Sequence, residues 1–173
     1  GYAPAPRVEG LCLKLSEGKQ TWAGAAAACA ADGAALLSVH SATVNAAARE
    51  AEALFDWIEF PHSELWIGLG RHNGAGWQWA DGGRKDYHNF AAEPAPSPRD
   101  CVVMKNDGKW TARHCSLWKK YICAFGEQAT GEPLPTPHPT VTPTLSPTAQ
   151  PPTLTPTITP EDCQEGYQPT HLG

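Results

Sequence analysis

The feature that most constrains this chain of 173 residues is an abrupt change of composition near residue 127. All seven Trp and all thirteen Lys and Arg precede residue 125, whereas 133–160 contains no Phe, Trp or Tyr and no Asp, Glu, Lys or Arg. Such a segment cannot bury enough apolar surface to offset the entropy lost on ordering. We therefore predict one globular domain over 1–126, a Pro/Thr-rich segment over 127–160 and a short tail over 161–173.

The charge of the globular part excludes two classes of partner. Residues 1–127 carry 14 Asp and Glu against 13 Lys and Arg, so this part is close to neutral. No basic stripe indicates nucleic acid, and no Lys/Arg cluster in the sequence indicates an anionic membrane. The apolar runs fall far short of the ~20 residues that a membrane span needs. We expect neither a nucleic-acid partner nor a membrane span in this segment.

Six cysteines indicate the cellular compartment. None of them forms a CxxC pair, and no His lies at zinc-finger spacing beside them. A mucin-like Pro/Thr tract in the same chain favours an oxidising, secreted or cell-surface setting over a cytosolic protein with free thiols. We expect disulfides that involve Cys12, Cys29, Cys101, Cys115, Cys123 and Cys163.

Apolar periodicity predicts an α+β domain. Thr21 can cap a helix from Trp22 to about Ala31, and Ser41 can cap a second from Ala42 to Leu54. Short apolar or alternating runs at 11–16, 36–39, 65–69, 76–79, 102–104, 109–111 and 120–123 predict strands. A Pro-rich stretch between Tyr87 and Cys101 has no regular pattern, which predicts one long loop.

Several linked motifs resemble the C-type lectin-like domain family over 11–125. They are a helix from Trp22 that ends in a cysteine, W-I-G-L at 66–69, W-Q-W with D-G at 77–82, and C-V-V-M and Y-I-C near the end. The resemblance implies the family's double-loop fold, with two helices and short antiparallel sheets, and the disulfides Cys29–Cys123 and Cys101–Cys115. The tryptophans of these motifs are interpreted as core rather than as a sugar-stacking platform: Trp66, Trp77, Trp79 and Trp110.

The resemblance also implies where a calcium-dependent sugar site would lie. The family uses a Glu-Pro-Asn type tripeptide, an acid before a cysteine and an Asn-Asp pair, because calcium takes six to eight oxygens. This chain has Glu93-Pro94-Ala95, then Arg99-Asp100, then Thr111-Ala112. We therefore expect no calcium and no other cofactor. The Ala91–Arg99 loop is then either a calcium-free recognition surface or a cover for the core. Its candidate ligand residues are Glu93, Pro94, Arg99 and Asp100.

No catalytic motif is present. The sequence lacks G-x-S-x-G, H-E-x-x-H and a Gly-rich phosphate loop, and its seven His are scattered. His114 beside Cys115 could suggest a thiol dyad, but a disulfide-bonded Cys115 cannot be a nucleophile. We expect a protein that binds or assembles, with no catalytic residues.

The Pro/Thr-rich segment predicts an extended stalk. Ten of the 28 residues in 133–160 are Pro, which favours polyproline II at ~3.1 Å per residue, or roughly 85–90 Å in all. The segment resembles hydroxyproline-rich glycoprotein stalks, and an unmodified spacer is the alternative. Thr and Ser that alternate with Pro are typical O-glycan acceptors. The candidates are Thr136, Thr140, Thr142, Thr144, Ser146, Thr148, Thr153, Thr155, Thr157 and Thr159.

The tail resembles the entry of another such domain. Gly166-Tyr167-Gln168-Pro169 echoes Gly1-Tyr2-Ala3-Pro4 at a period of 165 residues. Three arrangements follow for Cys163: a link to the next repeat of a tandem array, a head-to-tail link to Cys12 of another copy, or an intrachain link to Cys12.

Two functional hypotheses follow from these features. The first is an extracellular structural or adhesive glycoprotein module that binds without calcium or assembles head to tail. Its expected partners are copies of itself, neighbouring repeats, glycans or other extracellular proteins. The alternative is a soluble or surface lectin that recognises carbohydrate.

Overall fold

The computed structural model describes residues 1–53, 64–71, 76–83, 85–92, 94, 98–126 and 163. The predicted α+β class with two helices is confirmed. The Pro/Thr-rich segment lies outside the described residues, as do its candidate glycosylation sites. Neither described helix is long and apolar enough to cross a lipid bilayer. The elements in chain order are β1 (Ala3–Pro4), β2 (Leu11–Leu15), α1 (Trp22–Ala31), β3 (Ala35–Leu36), α2 (Ala42–Ala53), β4 (Glu64–Gly70), β5 (Gln78–Trp79), β6 (Cys101–Lys105), β7 (Trp110–Arg113) and β8 (Lys120–Gly126).

Both helices begin at the predicted caps. The Thr21 hydroxyl accepts a hydrogen bond from the Gly24 amide at 3.1 Å at the start of α1. The Ser41 hydroxyl accepts one from the Val44 amide at 3.2 Å at the start of α2. These bonds satisfy amides that have no partner inside a helix. The predicted end of the second helix, Leu54, lies outside the described residues.

The strands form one sheet in the order β1-β2-β8-β4-β6-β7, with β3 on β8 and β5 on β4. The expectation of short antiparallel sheets needs correction, because the sheet is mixed: β4 and β8 pair in parallel, and Phe90 and Trp110 form an isolated parallel bridge. A parallel pair needs a long crossover, and the chain from β4 to β8 supplies one through the other strands of the double loop. The antiparallel β2–β8 ladder brings both ends of the domain together, with Cys12 opposite Phe125.

The tryptophans of the family motifs form most of the core. Trp66 and Trp110 are fully buried, and Trp79 is 3% exposed. The Trp66 indole nitrogen donates to the Gln20 carbonyl at 3.0 Å, whereas the buried Trp79 indole nitrogen has no hydrogen-bond partner among the described residues. Trp77 is only half-buried, so its interpretation as core needs correction. It packs against the edge of the core, next to the long loop.

Gly68 in the W-I-G-L motif is required by a close approach of two backbones. Its amide donates to the Leu37 carbonyl at 2.9 Å. A Cβ at this position would lie 2.8 Å from the Leu36 carbonyl oxygen. Any other residue would therefore push β4 away from the segment that follows β3.

Three disulfides crosslink the domain, and no described cysteine is free. Cys29–Cys123 ties α1 to β8 across a sequence separation of 94 residues. In the loop-entropy model a link of that length stabilises by about 4–5 kcal/mol. Cys101–Cys115 joins the start of β6 to the turn after β7. These two are the pairs that the family resemblance implied.

Candidate functional site

The base of the long loop is closed by an ion pair between Arg71 and Asp100. Arg71 follows β4 and Asp100 precedes β6, and Gly70 lies opposite Cys101 in the ladder. The Arg71 amide donates to the Asp100 carbonyl at 2.7 Å. Its Nε donates to Asp100 Oδ1 at 3.1 Å, and its Nη2 donates to the Arg99 carbonyl at 3.3 Å. Arg71 therefore links the end of β4 to the segment that leads into β6.

The same guanidinium lies against an aromatic ring. The Arg71 guanidinium carbon is 4.4 Å from the centre of the Trp77 ring, and the Trp77 ring centre is 5.5 Å from that of Phe90. A contact of this kind stabilises by about 0.5–2 kcal/mol, more as it loses water. The Arg71 side chain is only 20% exposed. Arg71, Trp77, Phe90 and Asp100 thus form one layered cluster, which we call the loop-base cluster.

The loop beyond this cluster is fixed to β7. The Ala91 amide donates to the Trp110 carbonyl at 3.0 Å, and the Trp110 amide donates to the Asn89 carbonyl at 2.9 Å. The rings of Tyr87 and Phe90 meet Trp110 edge to face, each with centres 5.7 Å apart. Burial raises the pKa of Tyr87. The start of the Ala91–Arg99 loop is therefore held by the core before any ligand arrives.

The predicted ligand residues have different fates. Glu93 lies outside the described residues, and Pro94 is half-buried. Arg99 is exposed and contributes its carbonyl to Arg71. Asp100 is committed to the ion pair with Arg71. The structure therefore brings Arg99 and Asp100 together at the base of the loop.

Sequence reasoning missed Arg71, which organises the site. Nothing in the local sequence singles out this arginine. The available signal was the strand register: once W-I-G-L-G and Cys101 are neighbours, the residues just outside them must face each other. An Arg and an Asp at those two positions predict an ion pair.

The described side chains near the loop offer few ligands for calcium. The Asp100 carboxylate already faces a guanidinium, and Thr111 and Ala112 supply one hydroxyl and one methyl group. Ala112 is 5% exposed on β7, opposite Val102. In the described ranges, no three His, Cys, Asp or Glu side chains lie close enough to hold a metal ion. A cation that needs six to eight oxygens has too few donors among these residues.

The His114 and Cys115 pair is not a thiol dyad. Cys115 is bonded to Cys101, and the His114 side chain is exposed. A disulfide sulfur has no thiolate with which to attack a substrate. The arrangement gives no route to nucleophilic catalysis at this position.

Cys163 is bonded to Cys12 of the same chain, with the two Cα atoms 5.5 Å apart. Both cysteines pack with Phe125, and the Tyr2 ring meets Phe125 edge to face at 4.9 Å. Of the three arrangements open from the sequence, the structure has the intrachain one. The link to another copy, or to a next repeat, is not the bond that this structure contains.

The Pro/Thr-rich segment joins Gly126, which lies opposite Leu11, to Cys163, which is bonded to Cys12. The extended stalk expected for this segment stays a prediction, because the segment lies outside the described residues.

The comparisons agree with this fold. The model of the family described as Lectin C-type domain matches residues 18–125, so the chain belongs to the C-type lectin domain family. Human C-type mannose receptor 2 is 32% identical over 120 residues, which are 66% of this chain and 8% of the receptor. The mouse secretory phospholipase A2 receptor is 32% identical over 108 residues, 60% of this chain and 7% of that receptor. The chain thus spans less than a tenth of the length of these relatives.

Two solved structures are similar over most of the domain. The calcium-independent type II antifreeze protein has a TM-score of 0.60 at 24% identity, covering 73% of this chain and 92% of that protein. The C-type carbohydrate-recognition domain of cow CD23, solved in the presence of an oligosaccharide, has a TM-score of 0.59 at 26% identity, covering 72% of this chain and 97% of that one.

Proposed function

We propose that this chain is an extracellular recognition module of the C-type lectin family that binds its ligand, a glycan or an extracellular protein, without calcium. The proposed binding surface is the Ala91–Arg99 loop together with the loop-base cluster beneath it. The observation that carries the proposal is the Arg71–Asp100 ion pair. It places a guanidinium beside the carboxylate that follows Arg99, the position where the family resemblance implies an acid.

An internal cation can replace the structural part of the metal's role. A calcium ion would hold the loop by joining carboxylates from its two stems. Here Arg71 makes the equivalent connection with three hydrogen bonds to Arg99 and Asp100. A second positive charge beside this guanidinium would be repelled. The fold itself does not require the metal, since one solved protein with this fold is described as calcium-independent.

Recognition would then use direct contacts. Arg99 is exposed and offers a guanidinium that can form paired hydrogen bonds with a carboxylate or with sugar hydroxyls. Trp77 presents a half-buried ring against the Arg71 guanidinium in the loop-base cluster. The pre-fixed loop lowers the entropy that ligand binding must offset. The extracellular setting is supported by the three disulfides.

The test combines calcium titration with ligand screening. We expect no saturable heat on adding calcium up to millimolar concentration, and no change in the melting temperature. A glycan array and an extracellular-protein panel, each run with calcium and with EDTA, should give the same hits. Saturable calcium binding that raises the melting temperature, or hits that vanish in EDTA, would overturn the proposal.

A pair of variants locates the surface. Arg71→Met removes the guanidinium but keeps most of the apolar stem, and it should weaken binding of any hit by about tenfold, a loss near 1.4 kcal/mol. Arg7→Met is the matched control, because Arg7 pairs with Glu50 through a largely exposed side chain outside this loop. Equal losses in the two variants would place the binding surface elsewhere.

Covalent head-to-tail assembly, in an adhesive or structural role, is the second candidate. The contacts that Cys163 makes with Cys12 and Phe125 could be supplied by another copy without changing the folded body. The 36 residues between Gly126 and Cys163 keep Cys163 attached to its own domain, which favours the intrachain bond over a bond to another copy in dilute solution. Non-reducing mass measurement decides: one chain mass supports the intrachain form, whereas a ladder that collapses on reduction supports assembly.

A further inference from the structure

The turn before β8 exposes two large apolar side chains on a firmly held backbone. Trp118 is 64% exposed and Leu117 is 40% exposed, and they are the large hydrophobic residues exposed in the described part of the chain. By contrast, Trp22, Trp66 and Trp79 are each at most 6% exposed. Burial in the core therefore gives no reason for a tryptophan at position 118.

This exposure does not come from a loose loop. Cys115 is bonded to Cys101, and its carbonyl accepts from the Trp22 amide at 3.0 Å. The Leu117 amide donates to the His114 carbonyl at 3.1 Å. Gln20 and Lys119 exchange two backbone hydrogen bonds, each of 2.9 Å. The segment is thus fixed on both sides of Trp118, which presents its ring at low entropic cost.

Strand pairing gives Trp118 two basic neighbours. Gln20 lies opposite Lys119 in an antiparallel bridge, so Lys19 lies opposite Lys120. Because side chains alternate along an extended chain, Trp118 and Lys120 point to one face and Lys119 points to the other. Lys119 does so, and its Nζ lies 2.7 Å from Glu64 Oε2. Lys19, Trp118 and Lys120 therefore share a surface, which we call the Trp118 surface.

We propose that the Trp118 surface binds an anionic polysaccharide, with a sugar ring stacked on Trp118 and carboxylate or sulfate groups at Lys120 and Lys19. An ammonium group is a compact point charge that suits such anions. Two exposed apolar side chains offer far less than the ~800 Å² per partner of a stable protein interface. One exposed indole face instead matches the size of one sugar ring. A polysaccharide presents the same ring many times along its length, which raises the effective concentration of the ligand at the surface.

The surface differs from the Ala91–Arg99 loop in both place and chemistry. Its residues come from the segment before α1, from the turn that precedes β8 and from the first position of β8, whereas the loop-base cluster comes from the 71–100 region. Neither surface needs the other in order to bind. A failure of one proposal therefore leaves the other standing.

The experiment measures binding of the full chain to polygalacturonate and to dextran sulfate by calorimetry in EDTA, with neutral dextran as the control polymer. We expect Trp118→Ala to weaken binding to the anionic polymers by about tenfold. Trp118→Tyr should restore most of the affinity, because it keeps an aromatic face. Lys120→Gln should weaken binding and reduce the slope of log affinity against log salt by about one.

Controls separate this surface from general charge effects. Lys85→Gln removes an exposed lysine elsewhere in the domain and should leave both affinity and salt slope close to those of the parent. Equal affinity of the parent and Trp118→Ala would overturn the proposal, and so would equal binding of neutral dextran. A further contrary result is a parent protein that binds no polymer and instead forms concentration-dependent dimers that are lost in Trp118→Ala. That result would assign the Trp118 surface to contact with a second copy and would also overturn the proposal.

Discussion

Trp110 and Trp118 lie eight residues apart in the sequence and have opposite environments. Trp110 has no exposed surface, its Nε1 donates to Asn45 Oδ1 at 2.8 Å, and the Trp79 ring meets it edge to face. Trp118 is 64% exposed on a turn. The difference comes from strand register: Trp110 lies on β7 opposite Met104, inside the sheet, whereas Trp118 precedes β8. Trp110 therefore contributes to the stability of the core, whereas Trp118 contributes an apolar ring to the solvent-exposed surface.

The largest expected effect comes from breaking the buried side of this comparison. Trp110→Ala should lower the free energy of unfolding by about 3–5 kcal/mol, because it opens a cavity and leaves the Asn45 amide oxygen without its donor. Chemical denaturation followed by circular dichroism measures the loss. A loss below about 1 kcal/mol would show that the aromatic cluster behind the Ala91–Arg99 loop does not hold the core.

A smaller effect is expected from the charge network of Glu64, Arg113 and Lys119, whose two cations lie close in sequence to Trp110 and Trp118. Glu64 on β4 is bound by Arg113 Nε at 3.2 Å and by Lys119 Nζ at 2.7 Å, and its side chain is 12% exposed. Glu64→Gln leaves two partly buried cations without their anion. We expect a loss of about 1–3 kcal/mol, below the cost for a fully buried pair, because both cations still reach water. Lys85→Gln, at an exposed lysine outside this network, is the control and should change stability by less than about 0.5 kcal/mol.

The same network predicts a dependence on acid pH. Burial alone would raise the pKa of Glu64, but the hydrogen bonds from Arg113 and Lys119 outweigh it and hold the pKa below its usual range. The carboxylate therefore contributes stability that is present above its unfolded pKa, near 4.3, and is lost as the pH falls through the lower folded value. Melting curves between pH 6 and 2.5 should fall less steeply in Glu64→Gln than in the parent. Parallel curves for the two proteins would contradict the assignment.

A third prediction concerns the edge where the chain ends meet. Burial and the nearby Asp32 carboxylate raise the pKa of Tyr2 well above its usual range. Unfolding then releases a proton more readily, so stability is lost as the pH rises above about 10, the unfolded pKa. Tyr2→Phe should reduce the loss of stability between pH 9 and 11, at a cost within about 1 kcal/mol at neutral pH. The measurement is thermal unfolding of the disulfide-intact protein, and an equal loss in the parent and in Tyr2→Phe would contradict the assignment.

The sequence predicted the helices and the core tryptophans well, for a physical reason. Thr21 and Ser41 cap their helices through bonds to residues three positions away, so the signal is local. The burial of Trp66 and Trp110 follows from apolar runs that are also local. Patterns of this kind need no knowledge of the rest of the chain.

Pairs that are distant in sequence could not be predicted in the same way. The Arg71–Asp100 pair, the Glu64 network and the parallel β4–β8 contact each join residues 29 or more positions apart. Their partners become neighbours only when the strand order is known. The choice among three partners for Cys163 was open for the same reason, since local sequence does not state which segment lies against Cys12. The candidate site was therefore located by motif, but its organising residue was not.

The smallest expected effect tests the exposed side of the comparison. Trp118→Ala should change the free energy of unfolding by no more than about 0.5 kcal/mol, because the ring is 64% exposed and the backbone bonds of Gln20 and Lys119 remain. Denaturant curves of this variant and of Trp110→Ala, measured side by side, give the two extremes for one residue type. A loss above about 1.5 kcal/mol at position 118 would mean that the indole covers part of the core, and the turn would then have a structural reason for its tryptophan. If the free energy of unfolding is unchanged in Trp118→Ala, the indole has no role in stability. Binding of a ligand from outside the domain would then be the physical reason for this exposed tryptophan.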